Sequence, residues 1–144
     1  MLSDIEILKL LDPLKKGSLK IDPFDRKRLG PMSYDIVTEP LDWKGNWLRL
    51  VSMETISMPR THYGIMAPRS RVALKCIDVL FGTLVDPGFM GSLLFLVNPF
   101  DGPLTKNQDR SYSDLFQLMI GKVQGKVGTA YDERETSTAM NRRG

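Results

Sequence analysis

The chain has 144 residues, 42% of them hydrophobic, with a formal charge of +3 and a pI near 9.1, so one self-contained domain across residues 1–144 is expected. A single cysteine, Cys76, and a single histidine, His62, exclude internal disulfides and any zinc site built from Cys and His ligands, and with it zinc-dependent base deamination. No apolar run reaches membrane length and no block of like charge marks a nucleic-acid arm, so the expectation is a soluble, cytoplasmic protein with no membrane and no specific nucleic-acid partner; the mild positive charge favours an anionic ligand.

Ser3 followed by Glu6 makes a capping-box pattern, and Ile5, Leu8 and Leu11 recur at helical spacing, with Ile7, Leu10 and Leu14 widening the stripe, until Pro13 and Gly17 end it. From there the chain reads as strand and turn. Extended pieces are expected at Lys20–Phe24, at Ser33–Thr38 and at Trp47–Met58, the last bounded by Gly45-Asn46 and Pro59. Two apolar runs follow within Val72–Val85, with bends predicted at Asp78 and Gly82. A buried strand is expected at Ser92–Val97 and a final one at Leu115–Val123. Cys76 reads as a small buried hydrophobe, and His62 as a surface or loop residue. Many short strands punctuated by Gly and Pro predict an all-β barrel or jelly roll with one short N-terminal helix. Residues 132–144 are polar and are expected to form a flexible tail.

Two segments carry chemistry. Ala67-Pro68-Arg69-Ser70-Arg71 offers a hydroxyl, two guanidinium groups and turn-favouring backbone. Such a group suits a polyphosphate, because Arg forks and backbone N–H groups match phosphate oxygens. Val85-Asp86-Pro87-Gly88-Phe89-Met90-Gly91 places one carboxylate at the end of an apolar run, just before a Pro-Gly turn. An acid on a strand end can act as a base.

Together these segments resemble the substrate site of the trimeric dUTPase and dCTP deaminase superfamily. Met1-Leu2-Ser3-Asp4, Ile21-Asp22-Pro23-Phe24-Asp25 and Pro31-Met32-Ser33-Tyr34-Asp35 are similar to the deaminase branch in the same order. Tyr34-Asp35 also resembles the first dUTPase motif and Gln117-Leu118 the fourth. Tyr131, with Thr138 seven residues on, is similar to the tail that closes over the triphosphate. The resemblance implies a distorted β jelly roll, a homotrimer, and active sites built from more than one subunit.

The two branches imply different chemistry. The deaminase branch carries a catalytic Glu on the strand after the Asp-Pro-Gly-Phe turn, where Leu96 stands here, and no carboxylate lies between Pro87 and Phe100. Its second Arg is also replaced, by Leu74 with Lys75 alongside. Deamination needs a titratable group to move protons between water and the leaving amine, so the resemblance favours dUTP diphosphatase. It then implies Asp86 as the base that activates water, and Arg69, Ser70 and Arg71 as phosphate holders. Phe89 implies packing against a deoxyribose, and Gln117 and Tyr131 substrate contact. Asp35 implies an acid near a Mg²⁺ shell, with Mg²⁺ the expected cofactor and dUTP the favoured deoxynucleoside triphosphate. Uracil would be read by backbone in the bend from Asp78 to Gly82. Three departures stand out: Arg71 where the dUTPase pattern has Gly or Ser, a polar Asn107–Asp114 where a Gly precedes the fourth motif, and no Gly-rich fifth motif. Arg134, Thr136, Ser137 and Thr138 are the replacements available for that fifth motif. Mono- or bifunctional dCTP deaminase, and a non-catalytic nucleotide-binding regulatory homologue, are the alternatives.

Overall fold

In the computed structural model, which describes residues 1–74, 77–80, 84–99 and 112–133, the N-terminal helix forms as its cap predicts. Helix α1 (Asp4–Leu10) begins with Ser3 Oγ accepting from the Glu6 N–H while the Glu6 carboxylate accepts from the Ser3 N–H. Part of the expected stripe is buried: Ile7 fully, with Leu10 and Leu11 packed beside it, whereas Ile5, Leu8 and Leu14 face solvent. The helix is tied down by backbone bonds from Leu2 to Ile120 and from Asp4 to Pro31.

Among the described residues the strands form two antiparallel sheets. The first contains β1 (Lys20–Asp22), β3 (Thr38–Lys44), β4 (Trp47–Ser57), β6 (Ile77–Leu80) and β8 (Met90–Pro99), in the order β1-β4-β8-β6 with β3 also on β4. The second contains β2 (Tyr34–Ile36), β5 (His62–Pro68), β7 (Leu84–Val85) and β9 (Phe116–Lys122), in the order β2-β9-β5-β7. A five-residue helix, α2 (Ser70–Leu74), follows β5.

Alternation along each strand builds the core between the sheets. Leu48, Leu50 and Ile56 of β4 and Leu93, Phe95 and Val97 of β8 point inward, against Tyr34, Ile36, Phe116, Leu118 and Ile120 of the second sheet. The Phe95 and Phe116 rings stack at 4.0 Å between centroids and join the two layers. The same alternation carries Glu54 inward, where it is 1% exposed. Both its oxygens accept from the Val37 N–H, at the residue between β2 and β3 where the chain changes sheets. Burial pushes the Glu54 carboxyl above its ordinary pKa, opposed by these hydrogen bonds and by Arg28.

Several expectations change. Val72 lies in helix α2, not at the start of a strand. Asp78 is no bend but sits inside β6, opposite Asn98. His62 is buried at the start of β5, not a surface or loop residue. Strands β3 and β5 are additions to the predicted set. Tyr131–Glu133 forms a 3-10 turn. Lys75, Cys76, Gly82, residues 107–111 and the tail residues Arg134, Thr136, Ser137 and Thr138 lie outside the described residues.

Candidate active site

The residues singled out from sequence fall into two groups, one at each end of β5. At its C-terminal end, strand register does the assembling. Asp35 of β2 lies opposite Gln117 of β9, which lies opposite Ala67 of β5. Residues paired across strands share a face, so Asp35 and Gln117 project together, away from the core filled by Tyr34 and Ile36. Arg69 comes two residues after Ala67 and keeps the ladder going, its N–H donating to Leu115 at 2.7 Å.

The Arg69 guanidinium lies 3.5 Å from Asp35 and 3.9 Å from Asp114. Arg71 and Arg28 reach the same Asp114 carboxylate at 3.6 and 3.5 Å. Arg28 also donates to the Asp35 carbonyl at 3.4 Å. It is delivered by a 3-10 turn, Arg26–Arg28, that the Asp25 side chain caps. Three arginines thus surround two aspartates, leaving one net positive charge. Each guanidinium has five N–H donors, and the contacts named here use only some of them. The cluster can accept phosphate oxygens without dismantling itself. Gln117 is oriented by Ser33, whose hydroxyl donates to its side-chain oxygen at 3.0 Å, so Gln117 has a positioning role of its own.

Ser70 is exposed and opens α2, where Val72 N–H bonds back to the Arg69 carbonyl. This helix answers the question raised by Arg71. Its bulk does not crowd the backbone, because the helical turn carries it outward to Asp114, half exposed. Arg28 and Asp114 went unselected from sequence. Arg28 reads as one of three consecutive basic residues and Asp114 as a turn acid; only the fold brings them together.

At the other end of β5 the construction is backbone and aromatic. Val85 of β7 pairs with Gly64 of β5, and Asp86 follows immediately. The turn closes with the Phe89 N–H on the Asp86 carbonyl at 3.0 Å. It is fastened to Met58 twice, Gly88 N–H donating to the Met58 carbonyl and Met58 N–H to the Phe89 carbonyl. Gly88 has φ +84°, a conformation that favours glycine. A Cβ there would come within 2.6 Å of Asp132 Oδ1 and 2.9 Å of Ala130 Cβ. The segment around Tyr131 lies directly on the turn. Its N–H donates to the Pro87 carbonyl at 2.7 Å, and its ring meets Phe89 edge-on at 5.4 Å. Asp132 pairs with Arg60 at 2.9 Å. Asp86, Phe89 and Tyr131 therefore belong together.

The two groups do not meet within one chain. From Gly64, beside the Asp86 turn, to Arg69 is five residues of extended chain, roughly 17 Å. Among the described residues no three His, Cys, Asp or Glu side chains converge to hold a metal. Leu96, at the position where the resemblance puts the deaminase's glutamate, lies on the outer face of the first sheet between Arg49 and Leu80.

No family model matches the sequence, and no curated protein matches it significantly. Solved structures do. The 2′-deoxycytidine 5′-triphosphate deaminase of Agrobacterium tumefaciens is 14% identical with a TM-score of 0.57, covering 99% of this chain and 50% of the deaminase. The chain therefore spans about half that protein's length. The dUTPase of Staphylococcus bacteriophage 80alpha, solved with dUPNHPP, is 16% identical with a TM-score of 0.51, covering 83% of this chain and 91% of the dUTPase. What these comparisons establish is the fold: an all-β, dUTPase-like jelly roll with a short N-terminal helix.

Proposed function

We propose that the chain is a nucleoside triphosphate diphosphatase acting on dUTP to give dUMP and pyrophosphate, and that it works as a homotrimer. The observation that carries this reading is the convergence of Asp35, Arg69 and Gln117, from three separate segments, on one face at the end of β5. That row suits a triphosphate: Arg69, Ser70 and Arg71 hold its oxygens, and Arg28 adds a fourth donor group. Asp86 takes a proton from the water that attacks phosphorus, while the arginines stabilise charge developing on the phosphate oxygens. Phe89, backed by Tyr131, packs against the sugar and disfavours a ribose 2′-hydroxyl. The partly buried carboxylate of Asp35 suits a Mg²⁺ ion that arrives on the phosphates, since such an ion keeps most of its water and needs few protein ligands. When bound, Mg²⁺ supplies charge neutralisation on the triphosphate, and Asp35 would hold its water shell.

The roughly 17 Å between the Asp86 turn and Arg69 favours a site completed by a second copy. So does an apolar strip on the outer face of the first sheet, where Val51 lies opposite Leu94 and Leu96 opposite Leu80. Leu80 and Leu94 are exposed there, a surface suited to another copy. Deamination of dCTP is disfavoured because strand β8, Met90–Pro99, carries no carboxylate.

The test is incubation of purified protein with dUTP and Mg²⁺, beside dCTP, dTTP and UTP, with products resolved by anion exchange. dUMP and pyrophosphate from dUTP, absent with Asp86→Asn, are expected. Conversion of dCTP to a uracil nucleotide would move the reading to the deaminase. Binding of dUTP without turnover would move it to a non-catalytic nucleotide-binding protein.

A further inference from the structure

A cavity of about 400 Å³ opens where α1 and the turn after it meet β5 and β9, and it is lined by Lys9, Lys15, Lys16 and Lys122. His62 to Arg69 is seven residues of strand, roughly 23 Å, so this cavity is remote from the arginine cluster. Glu6 is the only carboxylate in the lining, and it is occupied by the cap of α1. Among the described residues none of the four lysines forms an ion pair. Like charges gathered around one hollow repel unless an anion neutralises them. Leu2 and Leu10 form the apolar part of its wall, while the four lysines are exposed and their field is screened by salt.

Its frame is fixed. Leu2 is bonded to the Ile120 carbonyl, Leu19 to the Leu10 carbonyl and Val123 to the Thr61 carbonyl, so helix, turn and both strands hold their places. His62, 8% exposed, forms part of the lining and sits 2.7 Å through Nδ1 from the Thr61 hydroxyl.

We propose that this cavity is an anion site for an oligophosphate, held by the ammonium groups of Lys9, Lys15, Lys16 and Lys122. Lysine binds phosphate as a point charge on a flexible stem, and a volume of about 400 Å³ is that of a small-ligand pocket. The site is independent of the diphosphatase reading. Apart from Glu6, the carboxylate engaged in the cap, the charged groups of the lining are lysines, so the phosphate chain, free or on a nucleotide, is the recognised part.

His62 gives a direct readout, because it is the only histidine in the chain and its Hε1 proton therefore gives a single uncrowded NMR signal. Burial, and next the Lys122 charge, push the imidazole below its ordinary pKa; Lys9, Lys15, Lys16 and Glu6 are the other charged groups around the hollow. The probe is sodium pyrophosphate titrated into the full chain at fixed ionic strength. Saturable movement of the signal is expected, with the pH midpoint of His62 rising by about half a pH unit as the anion offsets Lys122. The double variant Lys15→Ala/Lys16→Ala, both exposed, should weaken this response about tenfold, and Arg69→Ala should leave it unchanged. With EDTA present so that dUTP is not hydrolysed to pyrophosphate, a response to dUTP but none to deoxyuridine supports the site with a nucleotide as the source. A response to pyrophosphate but not dUTP supports it with the free anion as the source. The proposal is overturned by no movement, by equal movement with chloride, by an undiminished response in the lysine variant, or by loss of the response in Arg69→Ala. A tighter response to a DNA duplex than to pyrophosphate also overturns it, in favour of a nucleic-acid surface.

Discussion

The two ends of β5 are built by different physics. At the C-terminal end, five side chains, Arg28, Asp35, Arg69, Arg71 and Asp114, hold one another by charge at 3.5–3.9 Å while remaining open to solvent. At the N-terminal end, the Asp86 turn is held by backbone hydrogen bonds to Met58 and Tyr131 and by the Phe89–Tyr131 ring contact. A charge cluster tolerates rearrangement and is screened by salt. A backbone-fastened turn keeps one geometry, which suits a group that must aim a proton acceptor.

The strongest test of this contrast separates the ends by mutation. Asp86→Asn and Arg69→Ala should each lower dUTP hydrolysis, by about a thousandfold and a hundredfold respectively, with circular dichroism unchanged. If the ends belong to different copies, mixing and co-refolding the two inactive proteins should restore activity. Random association leaves about a quarter of sites with both intact halves. Activity of the mixture no greater than the sum of its parts would show that each chain completes its own site.

Next in size is Gly88→Ala. The positive φ and the 2.6 Å approach to Asp132 should cost about 2 kcal/mol, read by urea denaturation. A loss confined to the Arg69 end is not expected, so a phosphate-analogue titration should keep its affinity.

Asp114→Ala probes the other end. The exposed ion pairs it removes should cost under about 1 kcal/mol. Because Asp114 competes with phosphate for Arg28, Arg69 and Arg71, its loss should lower KM for dUTP severalfold at low salt. That gain should fade as salt rises.

The smallest effect is a pH dependence belonging to His62. Its folded pKa lies below the ordinary value through burial first and Lys122 second, so the unfolded chain takes up the proton before the folded one. Stability therefore falls as pH drops below about 6.5 toward the lower folded value. Glu54, whose folded pKa is raised, contributes a slope of opposite sign. Comparing wild type with His62→Gln by urea midpoints from about pH 7.5 to 5.5 isolates the histidine; equal slopes would refute it.

How much of this was legible depended on whether the signal was local. The Ser3/Glu6 cap and β4 were readable, because capping atoms lie three residues apart and β4 alternates cleanly between turn residues. Strand β3 was hidden because Pro40 and mostly exposed residues fill it. It lies beside β4 alone, and an edge is where a strand tolerates Pro. Strand β5 was masked by Gly64, which suggests a break. In the fold a Cβ there would lie 2.8 Å from Leu118, so the glycine permits close packing. Helix α2 is too short to show a period. His62 lines a hollow shared with α1 and its turn, so its burial depends on segments far away in sequence. Arg69 was marked by its own segment and Asp35 and Gln117 through resemblance, and their nearness came from register, whereas Arg28 and Asp114 carry no local mark at all.

One consequence follows from the length of β5. If the five residues of extended chain from Gly64 to Arg69 hold the two halves of the site apart, a lone chain is inert however well folded it is. Output then depends on how many chains are present as well as on substrate. Diluting the protein below the concentration at which copies associate should silence it sharply, and crowding should revive it, so expression level itself would act as the control.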